Sequence, residues 1–223
     1  MTKNKTKVIK AEAKILQANQ NYANQVRELL HKTKTDCLNL ISSPGTGKTT
    51  LLVETIKRLS GEIRCAVIEG DQQTSNDAKR IAETGIPVVQ VNTLQSCHLN
   101  ASQILESIQG FALNEIDLLF IENVGNLICP ASMDLGENEK VVLLSTTEGE
   151  DKPEKYPLAF SEAHTMVVTK IDLLPHLRFN LKECENFARQ INGKIHIIHT
   201  SSFTPEGLNA WNNWLKKRIK KHL

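Results

Sequence analysis

The sequence predicts a three-layer α/β fold in which a mainly parallel sheet of about seven strands carries helices on both faces. Two observations support this fold. Short apolar runs alternate with helical stretches from residue 37 onward, and a glycine-rich turn joins the first run directly to a helix. The apolar runs cover residues 37–41, 65–68, 87–91, 118–121, 141–144, 166–168 and 195–198. Right-handed crossovers would place consecutive strands in one parallel sheet.

Helices are predicted between these strands. The segments 74–84, 98–110, 155–162 and 179–191 have the composition of crossover helices. Thr204-Pro205-Glu206 is a helix start signal, and the helix after it carries Leu208, Trp211, Leu215 and Ile219 on one face. The five basic residues between 216 and 221 are predicted to form a solvated last turn, with a docking patch as the alternative.

The N-terminal segment is predicted to be a separate extension. Apolar residues recur there at helical spacing, at Val8, Ile15, Ala18, Tyr22, Val26 and Leu29. We therefore divide the chain into an extension with an amphipathic helix, residues 1–34, and a nucleotide-binding domain, residues 35–223.

Composition excludes several functional classes. The chain has 223 residues, of which 40% are apolar, and a formal net charge of +2, which argues against a dedicated nucleic-acid binder. Its apolar runs are too short for a membrane span or for the core of a signal peptide, so we expect a cytoplasmic protein with no membrane partner. The five cysteines form no C-x-x-C pair, and we therefore expect no disulfide framework.

The glycine-rich turn is a phosphate-binding P-loop. The sequence Ser42-Ser43-Pro44-Gly45-Thr46-Gly47-Lys48-Thr49-Thr50 lies between a predicted strand and a predicted helix, so its backbone N–H groups can surround a β-phosphate. Lys48 can bridge the β- and γ-phosphates, and the Thr49 hydroxyl can bind Mg²⁺. Ser42 stands where the first glycine is usual. The fold prediction is therefore that of a P-loop NTPase.

A second motif selects guanine. Thr169-Lys170-Ile171-Asp172 follows the sixth predicted strand and matches the pattern [NT]-K-x-D. Asp172 can accept hydrogen bonds from guanine N1–H and the exocyclic amine, and the Lys170 stem can cover the base. Ser201 and Ser202, after the seventh strand, can offer backbone N–H groups to guanine O6. Thr169 replaces the usual Asn, which predicts a weaker hydrogen bond between this loop and the P-loop.

Two acids and a glycine extend the site. Glu122 and Asp71 follow neighbouring predicted strands and can reach Mg²⁺ directly or through water, while Gly125 can offer its N–H to a γ-phosphate. The alternative for either acid is a helix cap or a solvated loop charge. The predicted catalytic groups are thus Lys48, Thr49, Asp71 and Glu122. The predicted nucleotide contacts are Ser43, Pro44, Gly45, Thr46, Gly47, Lys48, Thr49, Thr50, Gly125, Thr169, Lys170, Asp172, Ser201 and Ser202.

Cys97, His98 and Cys129 are candidate ligands for Ni²⁺ or Zn²⁺. Thiolates and imidazole suit these ions, and Cys129 follows the Glu122–Gly125 segment closely enough to respond to a γ-phosphate. We place Cys97 and His98 at the start of the fourth helix. The alternative is that these cysteines are small buried side chains, which is the interpretation we give to Cys37, Cys65 and Cys184.

Several long strings together resemble the HypB family of nickel-insertion GTPases in hydrogenase maturation. They are SSPGTGKTTLL (42–52), IEGDQQTSNDA (68–78), CHLNA (97–101), FIENVGNLICPASMDLGE (120–137), LSTTEGEDKPEKYP (144–157) and TKIDLLPHL (169–177). The resemblance implies that Cys97, His98 and Cys129 bind Ni²⁺ or Zn²⁺ at a homodimer interface formed with GTP. It also implies that GTP hydrolysis drives nickel transfer toward the hydrogenase large-subunit precursor, with a HypA-type nickel chaperone as a partner. Because we assign no catalytic Gln or Arg finger in the sequence, we expect the intrinsic hydrolysis to be slow.

One feature of the resemblance is missing. Residues 1–10 contain neither Cys nor His, so we expect no N-terminal nickel site in this chain. Other functional classes stay open at this point. They are a urease-type or other metallochaperone GTPase, a P-loop kinase of small molecules, a partitioning ATPase, and a metal-storage protein with incidental GTP binding.

Overall fold

The computed structural model describes residues 2–71, 75–93, 96–204 and 206–222, with side chains from residue 16 to residue 220 within these ranges. In order, the longer elements are α1 (Thr2–Thr33), β1 (Asp36–Ser42), α2 (Lys48–Leu59), β2 (Cys65–Asp71), α3 (Asn76–Ala82), β3 (Val88–Asn92), α4 (Ala101–Ile108), β4 (Leu118–Glu122), β5 (Glu139–Ser145), α5 (Lys152–Lys155), α6 (Pro157–Ser161), β6 (Thr165–Thr169), α7 (Leu181–Ile191), β7 (His196–His199) and α8 (Asn209–His222). Helices follow most of the strands along the chain, although β4 leads directly to β5 and α5 directly to α6.

The strands form one sheet in the order β3-β2-β4-β1-β5-β6-β7. Each of the six pairings between these strands is parallel, which confirms the predicted sheet and its seven strands. Because β1 lies between β4 and β5, the loop that leaves its carboxyl end reaches the middle of the sheet edge. Ligands bind at that edge in open α/β sheets.

Helices cover both faces of the sheet, as predicted. Alternate strand residues point to opposite sides: Leu38 and Leu40 pack with α2 and α8, whereas Ile41 belongs to the core on the other face. The predicted apolar face of the last helix is buried at Trp211, Leu215 and Ile219 of α8, and Leu208, directly before α8, is buried as well. Among the described residues, none of the helices combines the length and the apolar character needed to cross a lipid bilayer.

Helix α1 is amphipathic, but its buried face differs from the prediction. Ala23, Val26 and Leu30 are buried, whereas Ala18, Tyr22 and Leu29 are exposed. The side chains of Val8 and Ile15 lie outside the described residues. The buried face is set by contacts with the rest of the chain, because Val26 and Leu30 share a core with residues of α4 such as Ile104. The division at residue 34 stays a prediction.

Two predicted helix starts are wrong. Helix α4 begins at Ala101 rather than at Cys97 and His98, because Asn100 and Gln103 form a reciprocal capping box. Helix α8 begins at Asn209, and Thr204 lies in the preceding turn, where its carbonyl accepts from Gly207 N–H. Pro205 lies outside the described residues.

Two further expectations about helices need correction. The predicted helix 155–162 is instead two short helices, because Pro157 has no N–H to donate and begins a new helix. In α8, Arg218 is not a solvated residue. Its guanidinium pairs with the buried carboxylate of Asp36 at the start of β1 and with Glu139 at the start of β5. Arg218 therefore fastens α8 to the amino-terminal edge of the sheet.

Candidate functional site

The P-loop runs from the end of β1 to the start of α2, as predicted. Gly47 has a φ of +99°, a left-handed conformation that L side chains rarely adopt. Ser42 is well accommodated at the position where glycine is usual, because its hydroxyl donates to Ser43 O at 2.7 Å and accepts from Lys48 Nζ at 2.9 Å. The Ser42 hydroxyl therefore helps to hold the Lys48 side chain in place.

Thr49 and Glu122 meet directly beside the P-loop. The Thr49 hydroxyl donates to Glu122 Oε1 at 2.7 Å, and Glu122 Oε2 is buried with no hydrogen-bond partner among the described residues. Burial raises the pKa of Glu122 to about 7, against the opposing effects of Lys48 and of the Thr49 hydrogen bond. An orphaned carboxylate oxygen next to a hydroxyl fits Mg²⁺, which prefers hard oxygen ligands. Asp71, Thr49 and Glu122 line one cleft beside the P-loop.

Glu69 is a buried acid whose importance the sequence analysis missed. It lies on β2 in register with Glu122 on β4, and its Oε2 also has no partner among the described residues. Burial and the nearby carboxylates of Glu122 and Asp71 raise the pKa of Glu69 to about 8. The string Glu69-Gly70-Asp71 at a strand end was the available signal, because it brings a second acid to the sheet edge.

Gly125 packs closely on the P-loop. A Cβ atom at this position would lie 3.1 Å from Pro44 Cα, so a side chain would push the two segments apart. Gly125 also lines the cleft of about 780 Å³ that contains Gly45–Thr50, both predicted Mg²⁺ acids and Lys170. The structure thus brings the predicted phosphate and cation groups into one site.

The guanine motif lies against the P-loop. Thr169 Oγ1 donates to Thr46 O at 2.7 Å, so the threonine hydroxyl links this loop to the P-loop. The expected weakening of the link relative to Asn stays a prediction. Lys170 has a φ of +59°, and its Nζ donates to Gly45 O at 2.8 Å. Asp172 follows in a 3₁₀-helical turn, and its Oδ1 is buried with no partner among the described residues. Thr169 and Lys170 line the cleft, whereas Asp172 is not among its lining residues.

Ser201 and Ser202, the two predicted guanine contacts after β7, lie in different surroundings. Ser202 lines the cleft together with Phe203, whose side chain is exposed. Ser201 is buried, and its N–H donates to Gly207 O at 3.0 Å. The predicted N–H of Ser201 is thus already engaged, whereas Ser202 stands at the open rim.

An ion pair that the sequence analysis missed contacts the P-loop from the segment after β5, where Glu148 lies in a loop and Lys152 begins α5. Glu148 Oε1 accepts from Thr46 Oγ1 at 2.7 Å, and Lys152 Nζ donates to Ser43 Oγ at 2.8 Å. Glu148 and Lys152 also pair with each other at 3.0 Å. An acid and a lysine four residues apart were visible in the sequence, but nothing local connected them to a loop about 100 residues earlier.

Cys97, His98 and Cys129 come together at the same edge of the sheet. Their ligand atoms all lie within 4.8 Å of one another, and each residue is partly buried. Burial lowers the pKa of His98, which favours the neutral imidazole that binds metals. Cys37, Cys65 and Cys184 are buried and free, as predicted.

The Cys97 and Cys129 sulfurs are joined as a disulfide, a single pair that the sequence analysis did not foresee when it expected no disulfide framework. The pair forms because the loop before α4 and the loop after β4 both emerge at the carboxyl edge of the sheet. A metal ion binds thiolates, so occupation of this site requires the pair to be reduced.

Comparisons with known proteins agree with this arrangement. A family model described as the CobW/HypB/UreG nucleotide-binding domain matches residues 36–199. The hydrogenase maturation factor HypB of Escherichia coli K12 is 50% identical over 210 residues, which cover 94% of this chain and 72% of that relative. The chain belongs to the HypB family.

Solved HypB structures share the whole fold. HypB from Helicobacter pylori in complex with nickel is 35% identical, with a TM-score of 0.86 over 92% of this chain and 96% of that one. HypB from Archaeoglobus fulgidus is also 35% identical, with a TM-score of 0.85 over 92% of this chain and 100% of its own. This chain therefore shares the P-loop nucleotide-binding fold of these HypB structures.

Proposed function

We propose that the protein is a GTP-hydrolysing metallochaperone that carries nickel, or zinc, as cargo and supports nickel insertion into the hydrogenase large-subunit precursor. One observation carries this proposal. Gly125 packs against the P-loop residue Pro44, and Cys129 belongs to the metal cluster. These two residues are four positions apart in one short segment. A change at the γ-phosphate position can therefore reach a metal ligand along the backbone.

The proposed preference for guanine nucleotides rests on Asp172 and Lys170. The free Oδ1 of Asp172 and the Lys170 stem favour guanine, since adenine does not present the N1–H and exocyclic amine that a carboxylate accepts. Ser202 stands at the rim where guanine O6 would lie, and the loop amides with Lys48 and Thr50 would hold the phosphates. We expect GTP and GDP to bind far more tightly than adenine nucleotides.

Thr49, Asp71 and Glu122 are the residues proposed to hold Mg²⁺, directly or through water. When bound, the ion supplies positive charge that offsets the charge developing on the phosphates. Lys48 acts beside it by bridging the β- and γ-phosphates, and the Gly125 N–H senses the γ-phosphate. We expect slow intrinsic hydrolysis, which suits a nucleotide that serves as a switch.

We propose that a second copy of the chain completes the metal site. Two thiolates and one imidazole leave at least one position open in a tetrahedral site. Ile128 is 66% exposed directly beside Cys129, so an apolar contact surface adjoins the ligands. We propose that GTP promotes a homodimer at this surface, that a HypA-type nickel chaperone takes part in the transfer, and that the protein acts in the cytoplasm.

The metal assignment is tested by alanine variants of the full chain kept under a thiol reductant. Cys97→Ala, His98→Ala and Cys129→Ala should each weaken Ni²⁺ binding at least about tenfold in calorimetric titration, since each removes one of three ligands. GDP affinity should stay close to that of the wild type. The matched control is Cys184→Ala, which removes a buried free thiol of α7 that is not part of the cluster. Unchanged Ni²⁺ binding in the three ligand variants would contradict the site.

A further inference from the structure

The side-chain amide of Asn123 lies between the nucleotide site and the metal cluster. Asn123 directly follows Glu122 and is 1% exposed. Its Oδ1 accepts two backbone hydrogen bonds, from Val124 N at 3.0 Å and from Leu99 N at 3.2 Å. The first bond holds the turn that leads to Gly125, and the second holds the residue next to His98. One amide oxygen thus joins the γ-phosphate turn to the Cys97–His98 loop.

The other end of the same amide continues into a buried polar chain. Asn123 Nδ2 donates to Asn39 Oδ1 at 3.3 Å, and Asn39 Nδ2 donates to Glu137 Oε1 at 3.0 Å. Lys140 Nζ lies 3.9 Å from Glu137 Oε1 and donates to Ala131 O at 2.6 Å. Ala131 is two residues beyond Cys129. The chain of contacts therefore returns to the loop that carries the remaining metal ligand.

These contacts connect both parts of the metal cluster, Cys129 and the Cys97–His98 pair, to the segment proposed to contact the nucleotide. Cys129 is connected through the backbone after Gly125, and Cys97 and His98 are connected through Leu99 and Asn123. Leu99 is fully buried, so its N–H has no water to replace a lost partner. When the turn moves, the Leu99 bond must follow it or break, and either event changes the positions of the ligands.

We infer that Asn123 is a positioning residue that couples the nucleotide state to the affinity of the metal cluster. The inference rests on the proposed function, because it assigns the link between that function's two sites. It implies reciprocity: if GTP changes Ni²⁺ affinity by some factor, Ni²⁺ changes GTP affinity by the same factor, and both effects depend on Asn123.

The test compares Asn123→Ala with wild type and with Asn192→Ala. Asn192 is a matched control because its amide also bonds backbone carbonyls, those of Phe160 and Ala163, far from both sites. Calorimetry under reductant gives the Ni²⁺ dissociation constant with Mg²⁺·GDP and with a non-hydrolysable GTP analogue. Fluorescent-nucleotide titration with and without Ni²⁺ gives the reciprocal factor.

In the wild type and in Asn192→Ala, the two Ni²⁺ constants should differ at least about fivefold, the usual lower range of such coupling. In Asn123→Ala their ratio should fall to about one, while nucleotide affinity without metal stays within about threefold of wild type. A ratio that persists in Asn123→Ala, or that Asn192→Ala also abolishes, would overturn the inference. A wild-type ratio of one would instead contradict the coupling in the proposed function itself.

Circular dichroism and thermal melting establish that each variant is folded. If Asn123→Ala does not fold, Asn39→Ala serves as the second variant, because it removes the acceptor of Asn123 Nδ2 and leaves the Asn123 side chain in place. It should lower the wild-type ratio at least about threefold, since the amide loses one of its anchors. An unchanged ratio in folded Asn39→Ala would also overturn the inference.

Discussion

Thr169 Oγ1 donates a 2.7 Å hydrogen bond to the backbone oxygen of Thr46, and both residues are buried. This bond joins the loop that carries Thr169-Lys170-Ile171-Asp172 to the P-loop across a sequence separation of 123 residues. In the proposed binding mode the base and the phosphates of one nucleotide occupy these two loops, so the bond sets their spacing in advance. Such preorganisation lowers the entropic cost of binding.

Thr169→Val should therefore weaken GDP binding. The substitution keeps the branched shape and removes the donor, which leaves Thr46 O buried without its partner, at a cost of about 1 kcal/mol, or about fivefold in affinity. Competition with a fluorescent GDP analogue measures the change. Thr169→Ser retains the hydroxyl and serves as the control. Unchanged GDP affinity in Thr169→Val, or an equal loss in both variants, would contradict the role of the hydrogen bond.

Asp172→Asn should change the preferred base. The amide can accept from one base donor but presents its own donor where guanine also donates, whereas xanthine offers a carbonyl there. We expect GDP affinity to fall at least about tenfold and xanthosine diphosphate affinity to rise relative to wild type. Paired nucleotide titrations measure both. Equal GTP and ATP affinity in the wild type would contradict the guanine assignment.

Lys152→Met should loosen the P-loop. It removes the bond to Ser43 and the pair with Glu148, and the side-chain length is nearly kept. Because both interactions are partly buried, we expect GDP affinity to fall about three- to tenfold. Lys155→Met is the matched control, because Lys155 is exposed and pairs only with the nearby Asp151 in the described contacts. A similar loss in the control would point to general charge effects.

The free energy of unfolding of the nucleotide-free protein should fall as pH rises toward 8. The folded pKa of Glu69, about 8, exceeds the ordinary value of 4.5, so its stabilising contribution is complete below about pH 4.5 and is lost as pH rises through about 8. Glu69→Gln mimics the protonated acid and should be more stable than wild type by about 2 kcal/mol at pH 8.5 and by much less at pH 5. Urea denaturation at several pH values measures this. Parallel pH profiles for the two proteins would contradict it.

Local sequence predicted the parts of the site that depend on one stretch of chain. The P-loop at Ser42–Thr50 needs only a strand, a turn and a helix in succession, and the structure has all three. Asn100 and Gln103 also carried a local capping signal, so the true start of α4 was predictable. The buried face of α1 was not, because tertiary packing selects Ala23, Val26 and Leu30 over larger apolar neighbours.

Local sequence patterns could not predict the contacts between distant segments of the chain. The disulfide of Cys97 with Cys129 depends on two loops that meet only because β3 and β4 end at the same edge of the sheet. The role of Asn123 depends on its partners Leu99 and Asn39, which lie 24 and 84 residues away. Such relationships follow from the order of strands in the sheet, which no single motif encodes.

The central claim is that the nucleotide state controls the metal cluster. The most direct test is calorimetric Ni²⁺ titration of the reduced full chain without nucleotide, with Mg²⁺·GDP and with a non-hydrolysable GTP analogue, with molar mass measured alongside by light scattering. The account predicts a dimer with the GTP analogue and a Ni²⁺ affinity that differs at least about fivefold from the GDP state. One affinity and a monomeric mass in all three states would contradict it.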